Sequence, residues 1–379
     1  MSAVSRPIGT AAELSVSHVI DRRGRCRLAF EPVADLARGV VCGYEAVARF
    51  PASMHPDLWR AEAVKRGLEP DIDAFVVSSV LQARESLPPD CFLTFNVPPE
   101  ALLRPAMREL LEHAGRLDNL VVELAPRMPA GLERQVIDEI AGLRAAGATV
   151  AVDDVGAGYP ALRFMRSVRP EFVKVHPMLV RDVHRDDAKH VLLETIGQLA
   201  SRLDAWVVAL GVEQIEELDT LVRMRVPLAQ GPLVGVHAKT LTQVGFPLAA
   251  YVRERGVEAT RPGELVRLLE RPSPLGRDAE RAEIARVFAG SPELRHVVLV
   301  DERRRPIGVV ERAAFERGED PHEHVMTVAP SADPAEVARR AMLRPVVSRF
   351  DPLVCCDVRG RYVGVVRIEQ LVTALADGG

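Results

Sequence analysis

The chain lacks paired cysteines, long apolar runs and an excess of positive charge, and each absence removes a class of protein. Its five cysteines (Cys26, Cys42, Cys91, Cys355 and Cys356) are odd in number, scattered and in no metal-ligating spacing, and the adjoining two could bridge only with strain. This argues against a disulfide scaffold or a cysteine-built zinc site, and a reduced cytoplasmic compartment is the expectation. No segment approaches the ~18 uninterrupted apolar residues of a membrane span. Residues 1–24 hold no apolar core of a secretory signal and are read as a flexible leader. With 49 basic against 53 acidic residues the net charge is −4, which supplies no basic field for tracking duplex nucleic acid. Any nucleotide ligand is therefore expected to be small.

At 379 residues the chain is long for one core, so two domains are expected, one of them a large barrel. Apolar residues at 47% and charged ones at 27% describe an ordinary globular protein. From about Arg25 to Val252, eight short β-rich segments occur: CRLAFEPV, VVCGYEAV, CFLTFNV, NLVVELA, TVAVDD, EFVKV, AWVVAL and PLAQG. Between most of them lie helix-period stretches such as ALLRPAMRELLEHAGRL, GLERQVIDEIAGLRAAG and AKHVLLETIGQLASRL. This alternation predicts a (β/α)8 TIM-type barrel over residues 25–256 in preference to a doubly wound sheet, with an added edge strand as the alternative.

Beyond Val252 a charged connector, RERGVEATRPGE, leads to a repeat. Val297 to Phe315 and Pro352 to Leu371 share an apolar strand, an Asp, a turn and a Gly-Val-Val strand running into a helix, offset by 56 residues. Each copy follows a helix candidate, DAERAEIARVFAG or DPAEVARRAML. Residues 257–376 are thus expected to form a smaller α+β tandem-repeat domain whose halves share one core. The run Arg303, Arg304 and Arg305 is read as a solvated turn.

The stretch TVAVDDVGAGYP places Asp153 and Asp154 between a strand and a Gly-rich loop. A solvated turn, a metal site, and a metal site that has lost its chemistry all fit it. Polar residues close the other strands too: Glu45, Asn96, Glu123, Lys174 within FVKV, and Gln230. Taken singly, a strand-end acid is more often a loop residue or helix cap, Lys174 a snorkelling surface lysine, and Gln230 a loop amide. Collectively, side chains at the carboxyl ends of barrel strands converge on one mouth, where carboxylates repel unless protonated or neutralised by cations. Oxygen donors of this kind suit Mg²⁺ or Mn²⁺.

These residues resemble the EAL domain family, barrel phosphodiesterases that open cyclic di-GMP to linear pGpG. GYEAVARF looks like the signature that names the family, with Val47 in place of its Leu, Glu45 as metal ligand and Arg49 as the arginine on the dinucleotide. FNVP, VVELAP and DDVGAGYPAL resemble its next motifs and imply Asn96, Glu123, Asp153 and Asp154 around two divalent ions, Mg²⁺ or Mn²⁺, if the enzyme is active. By the same resemblance Lys174 lies beside the nucleophilic water, Asp154 and Glu213 serve the chemistry, and Gln230 belongs to the substrate site. Three positions depart from the pattern. Leu210 replaces a carboxylate in ALGVE, Pro126 stands where a second Glu is usual, and His176 stands where an Asp follows the lysine. His176 is open to reading as a substitute ligand or as an ordinary packed or exposed histidine. The resemblance implies a degenerate cyclic di-GMP receptor that regulates a protein partner; the alternatives are an active phosphodiesterase and a ligand-free interaction scaffold.

The C-terminal repeat resembles a CBS domain pair, a module that often binds adenine nucleotides. Glu311 and Ala314, and Arg367 and Gln370, occupy the positions of the usual hydroxyl and ribose-gripping Asp, so a homodimerising or interaction role is implied instead.

Overall fold

The computed structural model describes residues 27–49, 61, 63–156, 158–259, 265–322, 325–330, 332, 334–344 and 348–377. The expected leader, residues 1–24, lies outside the described residues.

Eight strands close into one barrel in chain order: β1 Arg27–Asp35, β2 Val40–Arg49, β3 Phe92–Asn96, β4 Leu120–Leu124, β5 Thr149–Val155, β6 Phe172–Val175, β7 Trp206–Ala209 and β8 Leu228–Ala229. All eight lie on the segments expected to be strands. From β2 to β8 they run parallel, whereas β1 is antiparallel to both neighbours, β2 and β8. The cause is local: only Leu36 to Gly39 separate β1 from β2, too few for a crossover. The Asp35 carboxylate closes this turn by accepting the Ala37 and Arg38 N–H groups at 2.9 and 3.0 Å.

The helices are α1 Glu69–Ala83, α2 Pro105–Ala114, α3 Glu133–Ala146, α4 Tyr159–Val168, α5 Asp187–Arg202, α6 Ile215–Arg223 and α7 Phe246–Ala259. Residues 101–117, expected as one helix, divide into a 3-10 turn Pro99–Leu103 and α2. The Pro105 ring disfavours helical backbone at Arg104, which sits at φ −78°, ψ 133°. Gly147, in the left-handed region at φ 105°, ends α3.

Alternation along each strand sorts the side chains. One face packs on the helices through Tyr44, Phe95, Val122, Val152 and Val173. The other fills the barrel's lower interior with Val33, Phe92, Val121, Ala151, Phe172, Val208 and Leu228. The Phe92 and Phe172 rings lie 5.3 Å apart, and a Cβ on Gly43 would come within 2.3 Å of Phe92. Two residues further up, the same inward positions become Glu45, Asn96 by way of Thr94, Glu123, Asp153, Lys174 and Gln230. An apolar plug thus supports a polar mouth.

The C-terminal module holds two three-stranded sheets, β9 Leu275–Gly276, β10 His296–Val300 and β11 Pro306–Glu311, then β12 Thr327–Val328, β13 Leu353–Cys356 and β14 Tyr362–Val366. Helices α8 Arg281–Gly290, α9 Arg312–Arg317, α10 Pro334–Met342 and α11 Ile368–Asp377 accompany them. Val298, Val300 and Val309 pack with Val354, Cys356, Tyr362 and Val365, so the halves share a core as the repeat implied. The repeated Gly-Val-Val strand also receives a crossing chain in each copy, His322 on Val309 and Glu270 on Val365.

The module's hairpin turns dock on the floor of the barrel, at the amino ends of its strands. Asp301 Oδ1 accepts the Arg303 and Arg305 N–H groups, and Asp357 Oδ1 accepts those of Arg359 and Arg361, giving two matching turns. Arg303 pairs with Asp118, Arg305 donates to Gly147 O at 3.3 Å, and Arg359 donates to Pro89 O at 2.7 Å and to Asn119. Val358 packs against the apolar plug itself. The expectation of a solvated arginine turn is corrected here: Arg304 alone of the three is exposed, because Arg303 and Arg305 meet barrel oxygens across the interface.

Candidate functional site

Glu45 on β2, Asn96 on β3, Glu123 on β4 and Lys174 on β6 form one hydrogen-bonded cluster with Gln230, which follows β8. Lys174 Nζ donates to Glu45 Oε2 at 2.8 Å and to Glu123 Oε1 at 2.6 Å. Asn96 Nδ2 bridges the same two glutamates at 3.1 and 3.0 Å, and Gln230 Nε2 donates to Glu45 at 2.7 Å. Glu123, Lys174 and Gln230 are buried. Lys174 is thus no surface lysine, and Gln230 no loop amide.

One ammonium shared by several acids sets the electrostatics. Burial raises the Glu123 carboxyl, the neighbouring Glu45 raises it further, and Lys174 only partly offsets them, leaving it at about 8. Burial also raises Glu45, but attraction to Lys174 and the bonds from Lys174 and Gln230 outweigh it and hold Glu45 below its ordinary value. Lys174 itself is pulled down by burial and pushed up more strongly by Glu123, Glu45 and Asp153. Burial and neighbouring carboxylates thus oppose ionisation of Glu123, while Lys174 favours that of Glu45.

Asp153 lies within the field of this cluster, its carboxyl raised by burial, and its Oδ1 is buried with no hydrogen-bond donor. Asp154, at φ 53°, turns to the exposed side, 3.9 Å from His176 Nε2, and takes no part in the cluster's hydrogen bonds. Glu213 is exposed and held by Arg181 at 2.6 Å, and Arg49 is likewise exposed, at the end of β2. His176 Nδ1 accepts the Met178 N–H at 3.1 Å and caps the short helix Pro177–Val180. Leu210 packs on the barrel's apolar plug.

Two participants were not anticipated. Glu31, opposite Glu45 across the β1–β2 pairing, receives His237 Nε2 at 2.9 Å, and burial raises its carboxyl. Glu217 accepts the Asp182, Glu213 and Gln214 N–H groups at 2.9, 2.9 and 3.0 Å, fixing the loop that carries Glu213. A glutamate three residues into a helix was the available signal for Glu217, weakened because Gln214 is an unusual cap.

The donor set fits a hard divalent cation: carboxylates, an amide and the orphaned Asp153 oxygen. In the present arrangement the Lys174 ammonium supplies the neutralisation a cation would give, and among the described residues no three His, Cys, Asp or Glu side chains group as ligands. No helix of the described residues is long and apolar enough to cross a membrane.

The fold and site define a (β/α)8-type barrel with an acidic, lysine-centred cluster at its carboxyl mouth. The EAL domain family matches residues 13–236 and a CBS domain matches residues 319–377; the chain belongs to the EAL domain family, fused to a CBS domain. Similar proteins include Cyclic di-GMP phosphodiesterase PdeL of Escherichia coli (strain K12), 26% identical over 216 residues, 54% of this chain and 60% of PdeL. Blue light- and temperature-regulated antirepressor BluF of the same organism is 22% identical over 221 residues, 54% of this chain and 52% of BluF. The chain thus spans less than two thirds of these curated relatives. The solved structure of Klebsiella pneumoniae BlrP1 as a manganese/cy-diGMP complex is 27% identical, covers 59% of each chain and superposes with a TM-score of 0.53.

Proposed function

We propose that the barrel binds cyclic di-GMP at its carboxyl mouth and hydrolyses it slowly or not at all, so that the chain acts as a receptor in cyclic di-GMP signalling that regulates a protein partner. The observation that carries the reading is Leu210: at the end of β7 an apolar side chain, packed on the plug, occupies the place of a carboxylate in the resembling family. It neither ligates a cation nor accepts a proton, and loss of acid–base assistance alone costs roughly 10²–10⁴ in rate. Binding is less affected, because the cluster of Glu45, Asn96, Glu123, Lys174 and Gln230 is intact. The likeness to BlrP1, solved with cy-diGMP, supports the ligand, and the likeness to an antirepressor supports the partner.

Glu45, Asn96, Glu123 and Asp153 are the residues that would hold Mg²⁺ or Mn²⁺, and Asp154, on the exposed side, is the further ligand that the family resemblance implies. Such ions bind a phosphodiester and lower the pKa of bound water. The chain's own part is separate from that. Lys174 balances the acids and orients a water that accepts from its ammonium, Gln230 fixes Glu45, Arg49 meets phosphate, and the Glu217 clamp holds Glu213 at the rim. A homodimer through the C-terminal module belongs to the same proposal, supported by exposed Leu343, Phe350 and Val372. The barrel is assigned residues 25–256 and the module 257–376, in the cytoplasm.

A second reading, an active phosphodiesterase, draws support from the same retained cluster. Incubation with cyclic di-GMP and Mg²⁺ or Mn²⁺ separates the two. Saturable binding with a flat pGpG time course at high protein concentration supports the receptor, whereas rapid pGpG formation abolished by Glu45→Ala supports the enzyme.

A further inference from the structure

On the opposite side of the barrel from the acidic mouth, the amino ends of β5, β6 and β7 and the C-terminal module enclose a cavity of about 1400 Å³. Eight arginines and five acidic residues line it, in a chain whose overall charge is −4. Several of these charges cancel in place. Arg144 pairs with Glu171 at 2.8 Å, Arg340 with Asp204, and Asp357 receives Arg361 at 2.7 Å. Two arginines are different. Arg223 donates to Thr220 Oγ1 at 2.9 Å and Arg305 to Gly147 O at 3.3 Å, both neutral acceptors, and among the described residues neither meets a carboxylate.

Arg223 is exposed and Arg305 half-buried, so water rather than a protein anion meets most of the five donors of either guanidinium, leaving it free to take an anion. Its planar fork matches phosphate oxygens, and it sheds water more readily than an ammonium. Between the charged residues the wall also carries apolar side chains and one tryptophan, Val207, Val222, Val328 and Trp206, among polar ones such as His190, Gln198 and Ser201. That combination is the lining of a site for a molecule with a charged end and an apolar or planar body. We propose that this cavity binds a small phosphate-bearing molecule, with Arg223 and Arg305 taking the phosphate and the Trp206 wall taking the body. Because Arg223 belongs to the barrel and Arg305 to the module, an occupant bridges the two.

Trp206 also reports the event. The chain has two tryptophans, and Trp59→Phe leaves Trp206 as the sole emitter. Inorganic phosphate and phenyl phosphate, titrated into this full-length variant at constant ionic strength against sodium chloride, are expected to change its emission saturably. Tighter binding of phenyl phosphate identifies an organic phosphate as the ligand, and equal binding identifies a free anion. The added double substitution Arg223→Gln and Arg305→Gln is expected to weaken both by about tenfold or more. Glu194→Gln, which removes an exposed lining carboxylate without touching the core, is expected to tighten them. No saturable change with either probe, a change matched by sodium chloride, or affinities unmoved by Glu194→Gln and by the folded double variant would overturn the proposal.

Discussion

Near the mouth Leu210 packs on the apolar plug, and Glu217 ties down the loop that carries Glu213. If the proposed receptor reading holds, introducing a carboxylate by Leu210→Glu is expected to raise pGpG formation at least about tenfold, given what acid–base assistance contributes. An unchanged rate would place the deeper defect at Pro126 or His176. Glu217 is a stability matter. Burial raises its carboxyl, but the three backbone N–H donors prevail and hold it below the ordinary range. A depressed carboxyl contributes stability that is present above its unfolded pKa and is lost as pH falls through the folded one. Glu217→Gln is therefore expected to cost about 1–3 kcal/mol at neutral pH, with the difference from the parent shrinking in acid below the ordinary glutamate range. Urea denaturation of both proteins at several pH values checks the sign; a gap that widens on acidification would refute it.

At the scale of elements, the plug under the site depends on Gly43. A methyl there would enter the Phe92 ring, and Gly43→Ala is expected to destabilise the barrel by about 1–3 kcal/mol, read as a lower denaturation midpoint. The strands were legible because period-2 apolar runs bounded by turn residues are a short-range signal. Their direction was less so: apolar alternation is the same read either way, and only the shortness of the Leu36 to Gly39 link fixes β1 as antiparallel. That reversal explains the omission of Glu31. In an antiparallel strand the mouth lies toward the amino end, so a search at carboxyl ends passes it by. Lys174 and Gln230 were legible as positions but not as buried partners, because desolvation depends on the ring of neighbours that closure supplies. The docking of Arg303 was illegible for the same reason; its partners, Asp118 and Ala146, are remote in sequence.

For the whole molecule, the module and the mouth occupy opposite ends of one barrel, joined by the apolar plug that Val358 touches from below and Leu210 from above. Exposed ion pairs contribute only about 0–1 kcal/mol each, so the docking rests on several arginine contacts together with Val358. Arg303→Gln combined with Arg359→Gln is expected to enlarge the radius of gyration in small-angle scattering, more so at high salt. An unchanged radius at every salt concentration would show that these arginines do not hold the module. The central claim concerns the other end of the barrel. Calorimetric titration of the full chain with cyclic di-GMP in Mg²⁺ or Ca²⁺, with pGpG followed in the same sample, tests it most directly. Saturable heat, reduced by Arg49→Ala and accompanied by little or no pGpG, is the predicted result. Absence of heat and of any thermal shift at high ligand, or rapid conversion to pGpG, would contradict it.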